Sequence, residues 1–158
     1  MSCVATPVSI VTAMTDGGLP FGATVSAFSS LSMEPAMVLI SLDSRSKTLA
    51  AIRESGRFGL NVLGADQEDL ATAFAGRSRA DKFHGTDWRT DCGLPRISQS
   101  PAWVASTVAG LVEGGDHVVI LGRVDAAESI VDRAPLVYHR RNFGTHLPHS
   151  EKPLEFLS

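Results

Sequence analysis

Cysteine is scarce in this sequence, and its two copies, Cys3 and Cys92, stand far apart with no Cys-x-x-Cys spacing. That excludes a zinc knuckle or a paired redox site, and reduced thiols fit a cytoplasmic protein. Long apolar runs are missing too: the longest is a handful of residues, too short to span a membrane. No basic segment followed by an apolar one opens the chain, so no secretory signal is evident. There is no basic stripe with interleaved aromatics, and the net charge of −3 argues against a nucleic-acid partner. His146 and His149 have the spacing of a ligand pair, but no carboxylate or Cys completes a set, so no metal is expected. No acid–base pair and no Ser-His-Asp constellation is conspicuous either.

What is present is an ordinary globular composition, 44% hydrophobic and 20% charged over 158 residues. That length supports one domain, residues 1–158, with a single core. Val8 to Met14 is rich in β-branched residues and predicts a strand. Asp16-Gly17-Gly18 supplies a positive-φ turn, and Leu19 to Phe28 is the returning strand. The chain begins almost inside the first strand, which leaves room for a further N-terminal element. Pro35 to Leu42 suits a buried strand. Leu49, Ile52 and Arg53 then sit at helical spacing, with Ser46 as N-cap and Gly56 as the residue after the helix. Phe58 to Leu63 returns to strand, and Asp66 is placed to cap a helix through Ala75.

Gly76 to Pro95 is polar and lacks periodicity, and such long loops are often functional. Trp103 to Val112 reads as strand, Glu113 to Asp116 as a turn capped by the Asp116 side chain, and His117 to Ala127 as strand. Leu136 to His139 is a short final strand. Arg140 onward, including the tail from about 145 to 158, is expected on the surface, with Leu154, Phe156 and Leu157 able to dock. Trp88 and Trp103 read as packing residues. Six or seven hairpin-linked strands with two short helices predict a mainly β, closed or nearly closed antiparallel barrel.

One stretch stands out, Gly22 to Thr48: GATVSAFSSLSMEPAMVLISLDSRSKT. Its small residues let a flat ligand approach the backbone, whose N–H and C=O groups can bond a polar edge. The hydroxyl and basic cluster at its end suits an anionic group, with Arg45 or Lys47 supplying charge. A planar heteroaromatic with a phosphate tail matches both ends.

GATVSAFSSLSMEPAMVLISLD, then SxKT, FGLNVL, DKF, GDHVVILGRV and PLVYHRRNFG resemble, in this order, the short-chain flavin reductase family. The similarity runs from about Val8 to Gly144. It implies the FMN-binding split barrel, a Greek-key-like antiparallel barrel, and a homodimer with a flavin site beside the subunit interface. It also implies an NAD(P)H:flavin oxidoreductase, passing hydride from NADH or NADPH to FMN or FAD. Reduced flavin would then reach a flavin-dependent monooxygenase by diffusion. On matching positions, Thr24, Val25, Ser26 and Ala27 would lie along the flavin ring edge. Ser41, Arg45, Ser46 and Thr48 would meet the ribityl chain and phosphate, with Lys82 and Phe83 nearby. His117 would position the nicotinamide, with Tyr138 and Arg140 close to the nucleotide.

Two departures from the family pattern are visible. Val104 to Val108 replaces a strand that often reads LEC, and Arg141-Asn142-Phe143 replaces a glycine-rich tail block. The other function open at this point is a non-catalytic flavin- or haem-binding carrier or sensor on the same barrel. The reductase reading asks for no side-chain acid or base, because the cofactors carry hydride transfer themselves.

Overall fold

The computed structural model describes residues 3–76 and 82–148. The chain opens with β1 (Thr6–Pro7), β2 (Ser9–Met14), β3 (Pro20–Val25), β4 (Phe28–Met33) and β5 (Ala36–Asp43). Helix α1 (Lys47–Ser55), β6 (Arg57–Val62) and helix α2 (Glu68–Ala75) follow. Then come β7 (Trp88–Asp91), β8 (Leu94–Ile97), β9 (Ala102–Gly114), β10 (His117–Ser129), β11 (Leu136–His139) and β12 (Asn142–Thr145).

Seven strands make one antiparallel sheet in the order β3-β2-β6-β9-β10-β5-β4. Its two edges, β3 and β4, are consecutive in sequence and joined only by Ser26 and Ala27. The sheet must therefore curl until its edges meet, which makes it a barrel. At the seam the Ser41 amide donates to the Ala27 carbonyl at 2.9 Å. Smaller sheets flank it: β1-β11-β12 and the β7–β8 hairpin.

Alternation fills the barrel. Ile40 and Leu42 of β5 pair with Ile120 and Val118 of β10, and all four point inward and are buried. They pack with Val11, Leu49, Ile52 and Phe58 in one core cluster. Each such side chain contributes about 1.5–3 kcal/mol on burial. Gly122 lies against Phe58: a Cβ there would sit 2.4 Å from the ring, so only glycine lets β10 pass. A second cluster joins Val8, Ile10, Leu63, Ala71, Phe74, Phe83, Ile97 and Leu136 under α2.

Local signals explain the helix ends. Ser46 caps α1, its Oγ accepting from the Leu49 amide at 3.3 Å. Gly56 ends it with φ 69° and donates to the Ile52 carbonyl at 2.8 Å, a conformation glycine adopts without strain.

The structure departs from the sequence expectations at several points. The returning strand from Leu19 ends at Val25, and Phe28 opens a separate strand on the far edge of the sheet. Asp66 does not cap α2, because the Arg133 guanidinium takes its carboxylate, with Nη2 at 2.7 Å from Oδ2. Gln67 occupies the cap position without a capping hydrogen bond of its own side chain. That side chain instead donates to the Ser98 carbonyl and accepts from the Gly64 amide. The described part of the aperiodic stretch holds the β7–β8 hairpin, turned by Cys92 and Gly93 at φ 51° and 75°. The surface segment after His139 turns back through Arg140 and Arg141, at φ 49° and 65°, into β12. Asp116 caps the turn with its carbonyl, which accepts from the Ser44 amide, while its side chain serves His117. Trp103 is buried and Trp88 half-buried, both packed against neighbours. His149 and the tail residues Leu154, Phe156 and Leu157 lie outside the described residues.

Candidate functional site

A groove of about 1000 Å³ runs along the seam of the barrel. Its walls are β3 from Leu19 onward, the Ser26-Ala27 corner, the end of β5, the first turn of α1, the end of α2, and His117. Ligand pockets of this size commonly hold a whole small molecule.

The corner wall is mostly backbone. Val25 turns its side chain into the core, and the Thr24 hydroxyl donates to the Ala71 carbonyl at 2.7 Å, anchoring α2. What remains for a ligand is main chain and the small side chains of Ser26 and Ala27, both exposed. Ser41, on the next strand, faces the same space.

At the far end of β5, Arg45, Ser46, Lys47 and Thr48 enter α1 along the groove. Helix N-termini leave amides unbonded and carry partial positive charge, so they favour anions. The first turn of α1 holds no acidic residue to meet that charge. Arg45 is already engaged: its Nε and Nη2 each lie 3.1 Å from the Asp43 carboxylate, which raises the guanidinium pKa further. Lys47 is exposed, lines the groove and has no carboxylate partner among the described residues. It is the cation that the sequence offered only as an alternative to Arg45.

The α2 end is built differently. Lys82 Nζ donates to the Phe74 carbonyl at 2.8 Å and to the Gly22 carbonyl at 3.2 Å. A cation on a carbonyl of the last helical turn answers the negative end of the helix. Burial pulls the ammonium pKa below the ordinary lysine value. Two of its three donors are therefore occupied by main chain. Phe83 is buried, edge-on to Phe74 at 5.0 Å and to Trp88 at 5.2 Å. Gly22 fits beneath these rings, since a Cβ there would come within 2.7 Å of Phe74.

His117 heads β10, directly across from Asp43 of β5. Its Nδ1 lies 2.8 Å from Asp116 Oδ1, and this bond holds the Asp116 carboxyl below the usual carboxylate range.

Eleven of the sequence-derived positions thus share one groove: Thr24, Val25, Ser26, Ala27, Ser41, Arg45, Ser46, Thr48, Lys82, Phe83 and His117. Tyr138 and Arg140 do not line it. Tyr138 rests on Phe143 at 5.2 Å in the β1-β11-β12 sheet, and Arg140 forms the exposed turn after it. Phe21, Gly22, Phe74 and His84 line the groove without having been singled out as ligand contacts. The alternation of β3 could have found Phe21, but the α2 residues come from packing across the chain. Among the described residues no cluster of three or more His, Cys, Asp or Glu could hold a metal. The donor set fits a flat ring with an anionic tail: open backbone at one end, an acid-free helix terminus with a spare lysine at the other.

Comparison with known proteins gives the chain's relatives. The family model described as "Flavin reductase like domain" matches residues 1–146. A probable flavin reductase of Rhizobium meliloti is 39% identical over 126 residues, covering 79% of this chain and 40% of that protein. The reductase subunit HsaB of a Mycobacterium tuberculosis flavin-dependent monooxygenase is 36% identical, covering 94% of this chain and 80% of that one. Among solved structures, the NADH:FAD oxidoreductase SgcE6 of Streptomyces globisporus C-1027, in complex with NAD and FAD fragments, superposes with a TM-score of 0.88. It is 30% identical and covers 95% of this chain and 90% of that one.

Proposed function

The chain belongs to the flavin reductase-like domain family, and from that premise we propose how its groove serves an NAD(P)H-dependent flavin reductase. The bound nicotinamide nucleotide and the FMN or FAD supply the chemistry, a hydride transfer whose reduced flavin feeds a partner monooxygenase. The protein's share is to bind, orient and exclude water. The α1 terminus, with Ser46, Lys47 and Thr48, holds the flavin phosphate; Arg45, held by Asp43, lies beside it. The Val25–Ala27 corner lies along the ring edge, where main-chain N–H groups can meet negative charge. Phe83 and Trp88 close the α2 side, with Lys82 fixing that wall in place. His117 positions the nicotinamide by contact, not by exchanging protons. Tyr138 and Arg140 do not line this groove within one chain.

The observation that carries the reading is the convergence of the small-residue corner, an acid-free helix terminus and His117 on one groove. Steady-state oxidation of NADH and NADPH with FMN and FAD tests it. Flavin-dependent turnover with at least one pairing is expected. No turnover with any pairing would leave a carrier instead of an enzyme.

The working unit is a homodimer. Residues between the inward-facing ones on β5 and β10 point outward: Leu39, Val119 and Leu121, with Val112 of β9 beside Val119. They form a half-exposed apolar face, Val112 being 53% exposed, next to Ser41 and His117. A two-fold interface is the commonest way to cover such a face. Light scattering should give twice the 16.8 kDa chain mass; a monomer at micromolar concentration contradicts it. Among the described residues no helix is long and apolar enough to cross a membrane. Cys3 and Cys92 are free thiols, in keeping with a place in the cytoplasm.

A further inference from the structure

His117 stands between two carboxylates of different standing. Asp43, its cross-strand partner, is taken by the Arg45 guanidinium through two hydrogen bonds of 3.1 Å. Asp116, the second residue of the β9–β10 turn, has no hydrogen-bonded arginine among the described residues. The charged neighbours acting on it are His117, attractively, and Asp43, repulsively, with Arg45 adding a weaker attraction and no hydrogen bond. Its Oδ1 lies 2.8 Å from His117 Nδ1. An ionised carboxylate has no proton to give, so the imidazole must be the donor in this bond. With Nδ1 protonated, Nε2 of the neutral ring is left as an acceptor. The ring lines the groove and Asp116 does not.

We propose that Asp116 is a positioning residue for the reductase reaction: its carboxylate fixes His117 as the tautomer whose Nε2 accepts a hydrogen bond from the nicotinamide carboxamide. This rests on the reading of His117 as the nicotinamide-side residue. The carboxamide offers N–H donors, which an acceptor nitrogen can hold and an N–H nitrogen cannot. A nicotinamide that gives up hydride becomes cationic, so a carboxylate behind the imidazole also suits the oxidised product. The turn supports the arrangement cheaply. Gly115, at φ 69°, carries the left-handed residue, and Asp116 itself is not in that region. Replacing Asp116 therefore leaves the turn's backbone requirement intact.

The test compares wild type, Asp116→Ala, Asp116→Asn and His117→Ala with NADH or NADPH at saturating flavin. Thermal melts check that each variant is folded. Asp116→Ala should raise the nicotinamide KM about two- to tenfold, the weight of one hydrogen bond, with flavin affinity unchanged. Asp116→Asn keeps an amide oxygen for Nδ1–H and should return KM to within about twofold of wild type. Nitrogen-15 spectra of labelled histidine should show the Nδ1–H tautomer at His117 in wild type and Asp116→Asn, and lose it in Asp116→Ala. A raised KM in His117→Ala alone, with Asp116→Ala like wild type, overturns the proposal while sparing the His117 reading. An unchanged KM in His117→Ala overturns both. An Nε2–H tautomer in the wild-type protein overturns the proposal outright.

Discussion

The two helices begin in opposite ways. α2 carries Glu68 and Asp69 in its first turn, its own answer to the positive end of the helix. α1 has none there, only Ser46 capping the Leu49 amide, with Lys47 and Thr48 beside it. The first turn of α1 lines the groove; α2 shows the groove its other end, where Lys82 meets the Phe74 carbonyl. A terminus that supplies its own carboxylates has no use for an external anion, whereas one left bare is an anion site. On the proposed reading the flavin phosphate belongs at α1, and the lysine near α2 is part of the wall.

The strongest way to break this comparison is to make α1 resemble α2. Lys47→Glu puts an acid in the first turn and removes the spare cation. Flavin affinity, read by fluorescence titration, should fall about 10- to 100-fold, roughly 1.4–2.8 kcal/mol. The fold should hold or gain slightly, since an acid there favours the helix by about 0.3–1 kcal/mol. Affinity and stability moving apart is the signature; a joint loss would mean only a damaged helix.

The opposite end gives the mirror result. Lys82→Met leaves the Phe74 and Gly22 carbonyls without their donor and should cost about 1–3 kcal/mol of stability in a denaturant melt. Flavin affinity at a temperature where the variant is folded should change less than in Lys47→Glu. A tenfold affinity loss at unchanged stability would return Lys82 to the phosphate.

Caps separate the helices once more. Ser46→Ala should lower stability by about 0.5–2 kcal/mol and flavin affinity with it. Gln67→Ala removes bonds to Gly64 and Ser98 and should lower stability without touching affinity.

Much of the site was legible because its signals are local. Ser46, Gly56 and the Asp16-Gly17-Gly18 turn each act within a few residues of themselves, so their type announces their role. The seam was harder. Ser26 and Ala27 carry the chain from one edge of the sheet to the other, a fact about strand order that no short window contains. Asp66 has the residue type of a cap, but its carboxylate is taken by Arg133, distant in sequence. The Cys92-Gly93 and Arg140-Arg141 turns adopt left-handed backbone with residues that seldom mark it. Lys82 shows the limit most clearly: a basic loop residue beside the candidate anion site is bound to carbonyls from two other elements.

The smallest expected effect is on acid stability around α2 and the β7–β8 hairpin. Arg133 holds the Asp66 carboxyl below its usual range, and Arg96 does the same for Asp91 and Glu128. Carboxyls depressed in the folded state stabilise it above their unfolded pKa values, about 4. That contribution is lost as pH falls through the lower folded values. The melting temperature should be flat above about pH 5 and decline below pH 4. Because the Asp66 carboxylate is largely exposed, Arg133→Ala should alter that decline only slightly.

The most direct test of the account compares FMN with riboflavin, the same ring and ribityl chain without the phosphate. Wild-type protein should bind FMN at least about tenfold tighter, the weight of charge-assisted bonds at the α1 terminus. In Lys47→Glu that preference should collapse toward equality, with riboflavin affinity nearly unchanged. Equal binding of the two ligands by wild type, or a preference that survives Lys47→Glu intact, would contradict the placement of the phosphate at α1.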